Sequence, residues 1–364
     1  MKKSPLLHPL AVFTGGGTGG HVFPGLAVWD ELQTRWPGDF LWVGAKGGME
    51  EALLKERNLP FRGIPAGKLR RYLSIKNLTD IFKILTGFLE SLLLFIRRRP
   101  AFVFSKGGFV SVPPVWAAGI LGIPVYSHES DLNCGLATRL NLRYSRKVFV
   151  AYSETLAKLP KETQGHGLVS GNPVRLDITR GRPESANQRW GIPPQKKVVL
   201  VLGGSQGAKQ INDLIPGLYN ALKDKVFFIH QTGKNWERVE GPGYVQEPFF
   251  GPEIADALAR ADLLISRAGA GSLWEAAYWK VPMVLIPLEV GSRGDQVLNA
   301  YHWENLGCAT VLRDPSPPEL EKSVLNIIDH PEILFAFKNS FSLLPKVSAA
   351  KFISETILAG YKDV

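Results

Sequence analysis

Short apolar runs recur along the chain, each bounded by glycine or polar residues. In the first half they are Leu10–Phe13, Phe40–Val43, Ala101–Phe104, Pro124–Ser127 and Lys147–Ala151. The second half repeats the theme with Lys197–Leu202, Val226–His230, Asp262–Ser266, Pro282–Ile286 and Ala309–Leu312. Near-continuous apolar runs of this length predict strands buried on both faces, as in a parallel sheet. Helical patterns lie between them, such as Leu26, Val28, Trp29 and Leu32 after the first run, so the units are βαβ. Each half also opens the same way, with a strand and then a glycine turn, at Gly15–Gly20 and again at Gly203–Gly207. The expected architecture is α/β: two tandem Rossmann-like domains, binding ligand at the strand C-termini in the cleft between them. Gly171-Asn172-Pro173-Val174-Arg175 punctuates the chain after the last strand of the first half and is the expected linker.

The segment Ile75 to Arg99 departs from this rhythm. Leu78, Ile81, Phe82, Leu85, Phe88, Leu89, Leu92, Leu93 and Ile96 fall close to helical spacing, while Asp80, Lys83 and Glu90 interrupt the run. It is therefore not a transmembrane span. Lys68, Arg70, Arg71 and Lys76 precede it, and Arg97-Arg98-Arg99-Pro100 closes it. One reading is a long crossover helix with its apolar stripe packed on the sheet. The other rests part of that stripe and its basic flanks on an anionic membrane surface. The two are compatible.

Size and composition sharpen this picture in three ways. At roughly 100–200 residues per domain, 364 residues make about two domains. Two cysteines far apart, Cys134 and Cys308, give no disulfide framework and suit a reducing cytoplasm. Before the glycine loop, Met1-Lys2-Lys3-Ser4-Pro5 leads into no apolar stretch long enough for a signal peptide. A formal charge of +10 points to an anionic partner, which nucleic acid, anionic lipid and phosphorylated substrates would all satisfy. Nucleic acid is disfavoured, because the basic residues cluster beside an apolar stripe rather than among stacking aromatics.

Candidate chemistry gathers at the strand-to-helix turns. Phe13-Thr14-Gly15-Gly16-Gly17-Thr18-Gly19-Gly20-His21 is a strand feeding a glycine loop that opens a helix, an arrangement that aims backbone N–H groups at an anion. Gly15, Gly17 and Gly20 fit G-x-G-x-x-G, but the second strand ends in Gly44-Ala45-Lys46 and lacks the acid that a dinucleotide site needs about 20 residues on. The loop instead carries His21, a titratable group at the helix start. Ser105-Lys106-Gly107-Gly108-Phe109-Val110-Ser111 is a second such turn, or only a tight βα connection. His128-Glu129-Ser130-Asp131 sets four polar residues at a strand end, where sites of this fold collect. In the second half Ser205 sits in the glycine turn, as a phosphate ligand or a plain N-cap. Ala270-Gly271-Ser272-Leu273-Trp274-Glu275 opens another helix. There Glu275, placed in the first turn, would accept from a ribose diol or merely complement the helix dipole. Asp295 and Gln296 begin a further helix. No Asp-x-Asp and no His/Cys cluster at metal spacing occurs, so no metal and no cofactor is expected, and a diphosphate would lean on helix N-termini and Arg.

In order along the chain, these motifs resemble the MurG family. They are Gly16-Gly17-Thr18-Gly19-Gly20-His21-Val22-Phe23-Pro24-Gly25, Gly107-Gly108-Phe109-Val110-Ser111, His128-Glu129-Ser130-Asp131, Gly171-Asn172-Pro173-Val174-Arg175, Gly203-Gly204-Ser205-Gln206-Gly207 and Ser266-Arg267-Ala268-Gly269-Ala270. The resemblance implies a two-domain GT-B glycosyltransferase that acts in peptidoglycan synthesis, and so in cell shape and division. It would move N-acetylglucosamine from UDP-GlcNAc, with inversion, to undecaprenyl-pyrophosphoryl-MurNAc-pentapeptide (lipid I), forming lipid II. It further implies a peripheral enzyme on the cytoplasmic face of the inner membrane, with cell-wall or division proteins as possible partners. Residues 1–172 would serve the acceptor lipid and the membrane, joined by a C-terminal helix within 346–364, and 173–345 would bind the donor. The UDP-GlcNAc contacts carried over are Thr18, Gly19, Gly20, Asp131, Arg175, Ser205, a residue near Phe250, Ala270, Gly271, Ser272, Leu273, Trp274, Glu275 and Gln296. The chain departs from the family pattern at Asp131, often Asn, and at Asp295-Gln296, often Gln-Gln.

The chemistry expected is single displacement by the C4 hydroxyl of the muramoyl sugar. His21 is the candidate base, since an unperturbed imidazole titrates near pH 6.5, and Glu129 is the second candidate. His21 could alternatively only orient the acceptor pyrophosphate. A UDP-GlcNAc 2-epimerase would share fold and donor pocket without a lipid acceptor. A non-catalytic nucleotide-sugar-binding scaffold would lack a reactive group such as His21.

Overall fold

The computed structural model describes residues 8–67, 75–204, 208–234, 236–237, 241–289, 294–345 and 347–362, with backbone alone at 75–78. The chain divides into two compact units, Met1–Pro173 with Val347–Val364, and Val174–Lys346.

The first unit is built on a seven-stranded parallel sheet in the order β3-β2-β1-β4-β5-β6-β7. Its strands are β1 (Leu10–Thr14), β2 (Asp39–Ala45), β3 (Phe61–Ile64), β4 (Pro100–Ser105), β5 (Val125–Glu129), β6 (Ser145–Val150) and β7 (Gly167–Val169). Successive side chains of a strand point to opposite faces, and β1 sorts accordingly. Ala11 and Phe13 join an aromatic core with Trp29, Trp42, Phe102, Phe104 and Phe149. Leu10 and Val12 join Val43, Val103, Val125 and Phe95 on the other face. Each fully buried Val, Leu or Phe among them is worth roughly 1.5–3 kcal/mol. The C-terminal helix (Ala349–Lys362) closes the aromatic face with Ala350, Ile353 and Ile357 and packs against the helix Phe23–Gln33. Trp36 and Tyr361 meet with ring centroids 4.6 Å apart.

The anomalous segment is a helix, Ile75–Arg97. Phe95 is fully buried and Phe88, Leu92 and Leu94 pack beside it. Ile81, Phe82, Leu85, Leu89, Leu93 and Ile96 face solvent, at 45–62% exposure. The helix thus buries one apolar face and leaves a second uncovered within its own unit.

The second unit carries a six-stranded parallel sheet in the order β10-β9-β8-β11-β12-β13. Its strands are β8 (Lys197–Leu202), β9 (Val226–Gln231), β10 (Tyr244–Glu247), β11 (Leu263–Ser266), β12 (Met283–Leu285) and β13 (Ala309–Val311). Val199, Val201, Phe228 and Ile265 form its core with Ile211, Ile215 and Leu218 of the helix Lys209–Leu222. Every strand expected from the apolar runs is present. The additional ones, β3, β7 and β10, are all edge strands.

Candidate active site

In the first unit the strand order reverses between β1 and β4, so the loops leaving these neighbours diverge and open a crevice at their C-terminal ends. The loop after β1 is Gly15–Gly20, and the turn after β4 is Lys106–Gly108. Gly107 and Gly108 take φ of 86° and 78°, values that residues with a side chain rarely adopt. A Cβ on Gly108 would lie 2.6 Å from the Gly16 carbonyl oxygen and 3.2 Å from the His21 ring. The bare backbone of one loop therefore forms a wall for the other and for the imidazole. His21 ends a single 3₁₀ turn, Gly19–His21, just ahead of the helix Phe23–Gln33, and its Nδ1 stands 2.9 Å from Thr18 Oγ1. Gly17, Thr18 and Gly20 are exposed, and His21 is half-buried.

Beneath the loop lies a residue that sequence reasoning missed. Glu50, fully buried, accepts from Ala45 N at 2.8 Å and from Gly17 N at 3.1 Å. A Cβ on Gly16, Gly44 or Gly48 would collide with its side chain, so these glycines make room for one carboxyl group. The Gly17 N–H is thus engaged internally. This removes the Gly17 N–H from the groups that the loop can offer an anion. The signal in the sequence was the spacing of small residues around Met49-Glu50.

At the end of β5, His128, Glu129 and Ser130 are buried and Asp131 is half-buried. Both Glu129 oxygens are heavily used: Oε1 accepts from Ser130 N at 2.9 Å and Asp131 N at 3.1 Å. Oε2 accepts from Gly135 N at 3.0 Å and Thr138 Oγ1 at 2.6 Å. Burial, reinforced by the Asp131 charge, raises its pKa, and Lys106 with the donors opposes that rise. His128 Nε2 lies 2.9 Å from the Gly171 carbonyl oxygen, to which it donates. Burial first, and Lys106 second, hold its pKa well below the ordinary value, so the ring is neutral.

In the second unit the strand order reverses between β8 and β11, again beside two of the small-residue turns. Ser205, together with Gln206 and Gly207, lies outside the described residues, as do Lys68, Arg70 and Arg71 of the basic flank. A second residue missed in the sequence is Gln231, which ends β9. Its Nε2 donates to Gly204 O at 3.0 Å and its Oε1 accepts from Phe250 N at 3.0 Å, clamping two loops together. Phe250 is 2% exposed, edge-on to Trp190 at 5.8 Å, whereas Phe249 is 57% exposed. Phe250 can therefore reach a ligand through its backbone only.

The helix Ala270–Tyr278 places Glu275 in its second turn, not its first, so the helix-dipole explanation of this acid falls. Instead Glu275 Oε1 accepts from Arg175 Nε at 3.1 Å, with Asp177 3.5 Å from Arg175 Nη1. Burial raises the Glu275 pKa and Arg175 opposes the rise. Ala270 and the partly exposed Gly271 and Ser272 keep the helix start small, but Leu273 and Trp274 point into the core, Trp274 edge-on to Trp303. Gln296 turns its Oε1 to the Leu288 N–H at 2.9 Å.

These two units match known domains in the same order. The glycosyltransferase family 28 N-terminal domain matches residues 11–150, and the family 28 C-terminal domain matches residues 198–353. Fold and loops thus define a two-domain glycosyltransferase of the GT-B class. The chain is 42% identical over 324 residues to a protein of Treponema denticola, with 83% of each chain covered. That relative is named UDP-N-acetylglucosamine–N-acetylmuramyl-(pentapeptide) pyrophosphoryl-undecaprenol N-acetylglucosamine transferase. A transferase of the same name from Staphylococcus carnosus is 40% identical over 322 residues, covering 87% of this chain and 86% of its own. The crystal structure of MurG from Acinetobacter baumannii aligns with a TM-score of 0.75 at 26% identity, covering 96% of this chain and 99% of its own. The chain belongs to glycosyltransferase family 28 and, within it, to the MurG family. A UDP-GlcNAc 2-epimerase from Neisseria meningitidis shares the fold alone, with a TM-score of 0.68 at 17% identity over 96% of this chain and 99% of its own.

Proposed function

We propose that the chain transfers N-acetylglucosamine from UDP-GlcNAc to the C4 hydroxyl of undecaprenyl-pyrophosphoryl-MurNAc-pentapeptide, with inversion, releasing UDP. The observation that carries this reading is the 42% identity, over 83% of the chain, to a transferase of that name. In this reading residues 173–345 hold the nucleotide. Arg175, Ser205, the backbone at Phe250, the helix start Ala270–Ser272, Glu275 and Gln296 serve it, while Leu273 and Trp274 support that helix from the core. Residues 1–172, with the C-terminal helix, take the acceptor, and Thr18, Gly19, Gly20 and Asp131 meet the donor sugar.

His21 is the base. With Nδ1–H donating to the Thr18 hydroxyl, Nε2 carries the basic lone pair and takes the C4 hydroxyl proton as the oxygen attacks the anomeric carbon. The glycosidic bond to UDP breaks in the same step, and Arg175 offsets charge on the leaving diphosphate. Arg175 then exchanges part of its Glu275 pairing for the ligand, and Glu275 turns to the ribose hydroxyls.

The acceptor's lipid end calls for a membrane contact. No helix among the described residues is long and apolar enough to cross a membrane. The uncovered stripe from Ile81 to Ile96, followed by Arg97-Arg98-Arg99, suits instead the surface of an anionic bilayer at the cytoplasmic face.

The test is transfer of labelled GlcNAc from UDP-GlcNAc to a short-chain lipid-pyrophosphoryl-muramoyl-pentapeptide, with and without EDTA. Transfer that persists in EDTA is expected. UDP-ManNAc appearing in place of the disaccharide product would convert the reading to an epimerase, and donor binding with neither product would leave a binding scaffold.

A further inference from the structure

A single hydrogen-bonded chain joins three sequence motifs at the C-terminal end of the first sheet. Lys106 Nζ donates to Ser130 Oγ at 2.6 Å, and Ser130 Oγ donates on to Asn172 Oδ1 at 2.8 Å. All three residues are buried, Lys106 to 2% exposure. An ammonium that deep is unfavourable unless it is paired and hydrogen-bonded. The residues flanking Ser130 supply the charge: Glu129 and Asp131 both attract Lys106, working against the burial that lowers its pKa. They are also tied to each other, since Glu129 Oε1 accepts the Asp131 N–H. The Asp131 charge adds to the burial that raises the Glu129 pKa, and the Lys106 cation works against both.

The transfer chemistry described above makes no use of Lys106, although it sits beside the glycine loop: its N–H donates to Thr14 O at 2.9 Å. A cation needed only for the fold would be a weak choice, because an apolar group of similar volume serves a buried site as well or better. Here the cation has a specific partner to hold. We propose that Lys106 is a positioning residue of the transfer reaction: its ammonium, fixed on Ser130, is the counter-charge that keeps Glu129 and Asp131 side by side and holds Asp131 ready for the donor sugar. The inference rests on the reading of Asp131 as a donor contact. An acid can then stand near a diphosphate because its charge is already matched from within the first unit.

The experiment compares the full-length wild type, Lys106→Met, Asp131→Asn and the double variant for kcat, for KM of UDP-GlcNAc and of the acceptor, and for thermal unfolding. Lys106→Met is expected to raise the donor KM roughly tenfold and to lower the melting temperature. The double variant should return to within about threefold of Asp131→Asn, as coupled neighbours do. If Lys106→Met fails to fold while the double variant folds, the counter-charge is supported on stability alone. Additive losses in the double variant would overturn the counter-charge. Coupling confined to the acceptor KM and the melting temperature, with the donor KM flat, would keep the counter-charge and overturn the donor reading of Asp131.

Discussion

Glu129 and His21 both sit at strand-end turns, yet they offer a substrate different things. A carboxylate has about four acceptor sites, and Glu129 uses four with Ser130, Asp131, Gly135 and Thr138. A general base needs a lone pair within reach of the proton it takes, so Glu129 is better suited to bracing the loop to the helix Leu136–Leu142. His21→Gln is therefore expected to lower kcat by roughly 10²–10⁴-fold with the donor KM little changed. A variant within a few-fold of wild type would remove His21 as base. Glu129→Gln, which turns an amide N–H toward a donor, should cost about 1–3 kcal/mol of stability before it touches chemistry. A well-folded Glu129→Gln protein with a hundredfold lower kcat would reverse the two roles. His21 and Glu129 were legible in the sequence because polar residues after apolar runs mark strand ends. Glu50 and Lys106 were not, because a charged residue beside glycines reads as solvated until burial is known.

The helix Ile75–Arg97 shows what a periodicity can and cannot tell. Its spacing announced a helix with a wide apolar stripe, and the length came out nearly as read. Which part of the stripe faces the sheet was not legible, because Phe88 and Leu89 are equally apolar and only packing sends one inward and the other out. Edge strands escaped for a related reason. Phe61-Arg62-Gly63-Ile64, Gly167-Leu168-Val169 and Tyr244-Val245-Gln246-Glu247 are short, polar or broken by glycine, since an edge is covered less fully than a central strand. The outer stripe carries its own test. Leu85→Asp with Leu89→Asp sits on exposed positions, where substitutions usually change stability by no more than about 0.5 kcal/mol. The pair should abolish binding to anionic vesicles and raise the KM for a long-chain acceptor in bilayers. Turnover of a short-chain soluble acceptor should stay near wild type. Equal loss on both acceptors would show that the stripe supports the fold rather than the membrane.

Across the whole molecule, two units with separate cores each carry a buried histidine that must stay neutral, and this ties stability to pH. In the second unit His230 is fully buried, with Nδ1 2.7 Å from Tyr244 Oη and Nε2 3.1 Å from Asn212 Oδ1, and burial lowers its pKa to about 3. The unfolded chain takes up that proton near pH 6.5, whereas the folded chain resists it until about 3. The stability is therefore complete above pH 6.5 and is lost as pH falls toward 3, at about 1.4 kcal/mol per pH unit for one group. Between pH 7 and pH 5 this comes to ~2 kcal/mol. His128 in the first unit, also depressed by burial, acts in the same direction. Glu129 and Glu275, both raised by burial, act in the opposite one, because the folded chain then binds their protons first. The wild-type curve alone would mix these contributions. Subtracting the curve of His230→Gln from that of wild type isolates one of them, and urea unfolding at pH 7, 6 and 5 should show the variant losing about one proton's worth of slope in this window. Parallel curves for the two proteins would mean that His230 takes up its proton inside the Asn212–Tyr244 site as readily as in the unfolded chain, and the hydrogen bonds there would have to be redrawn to accept a charge.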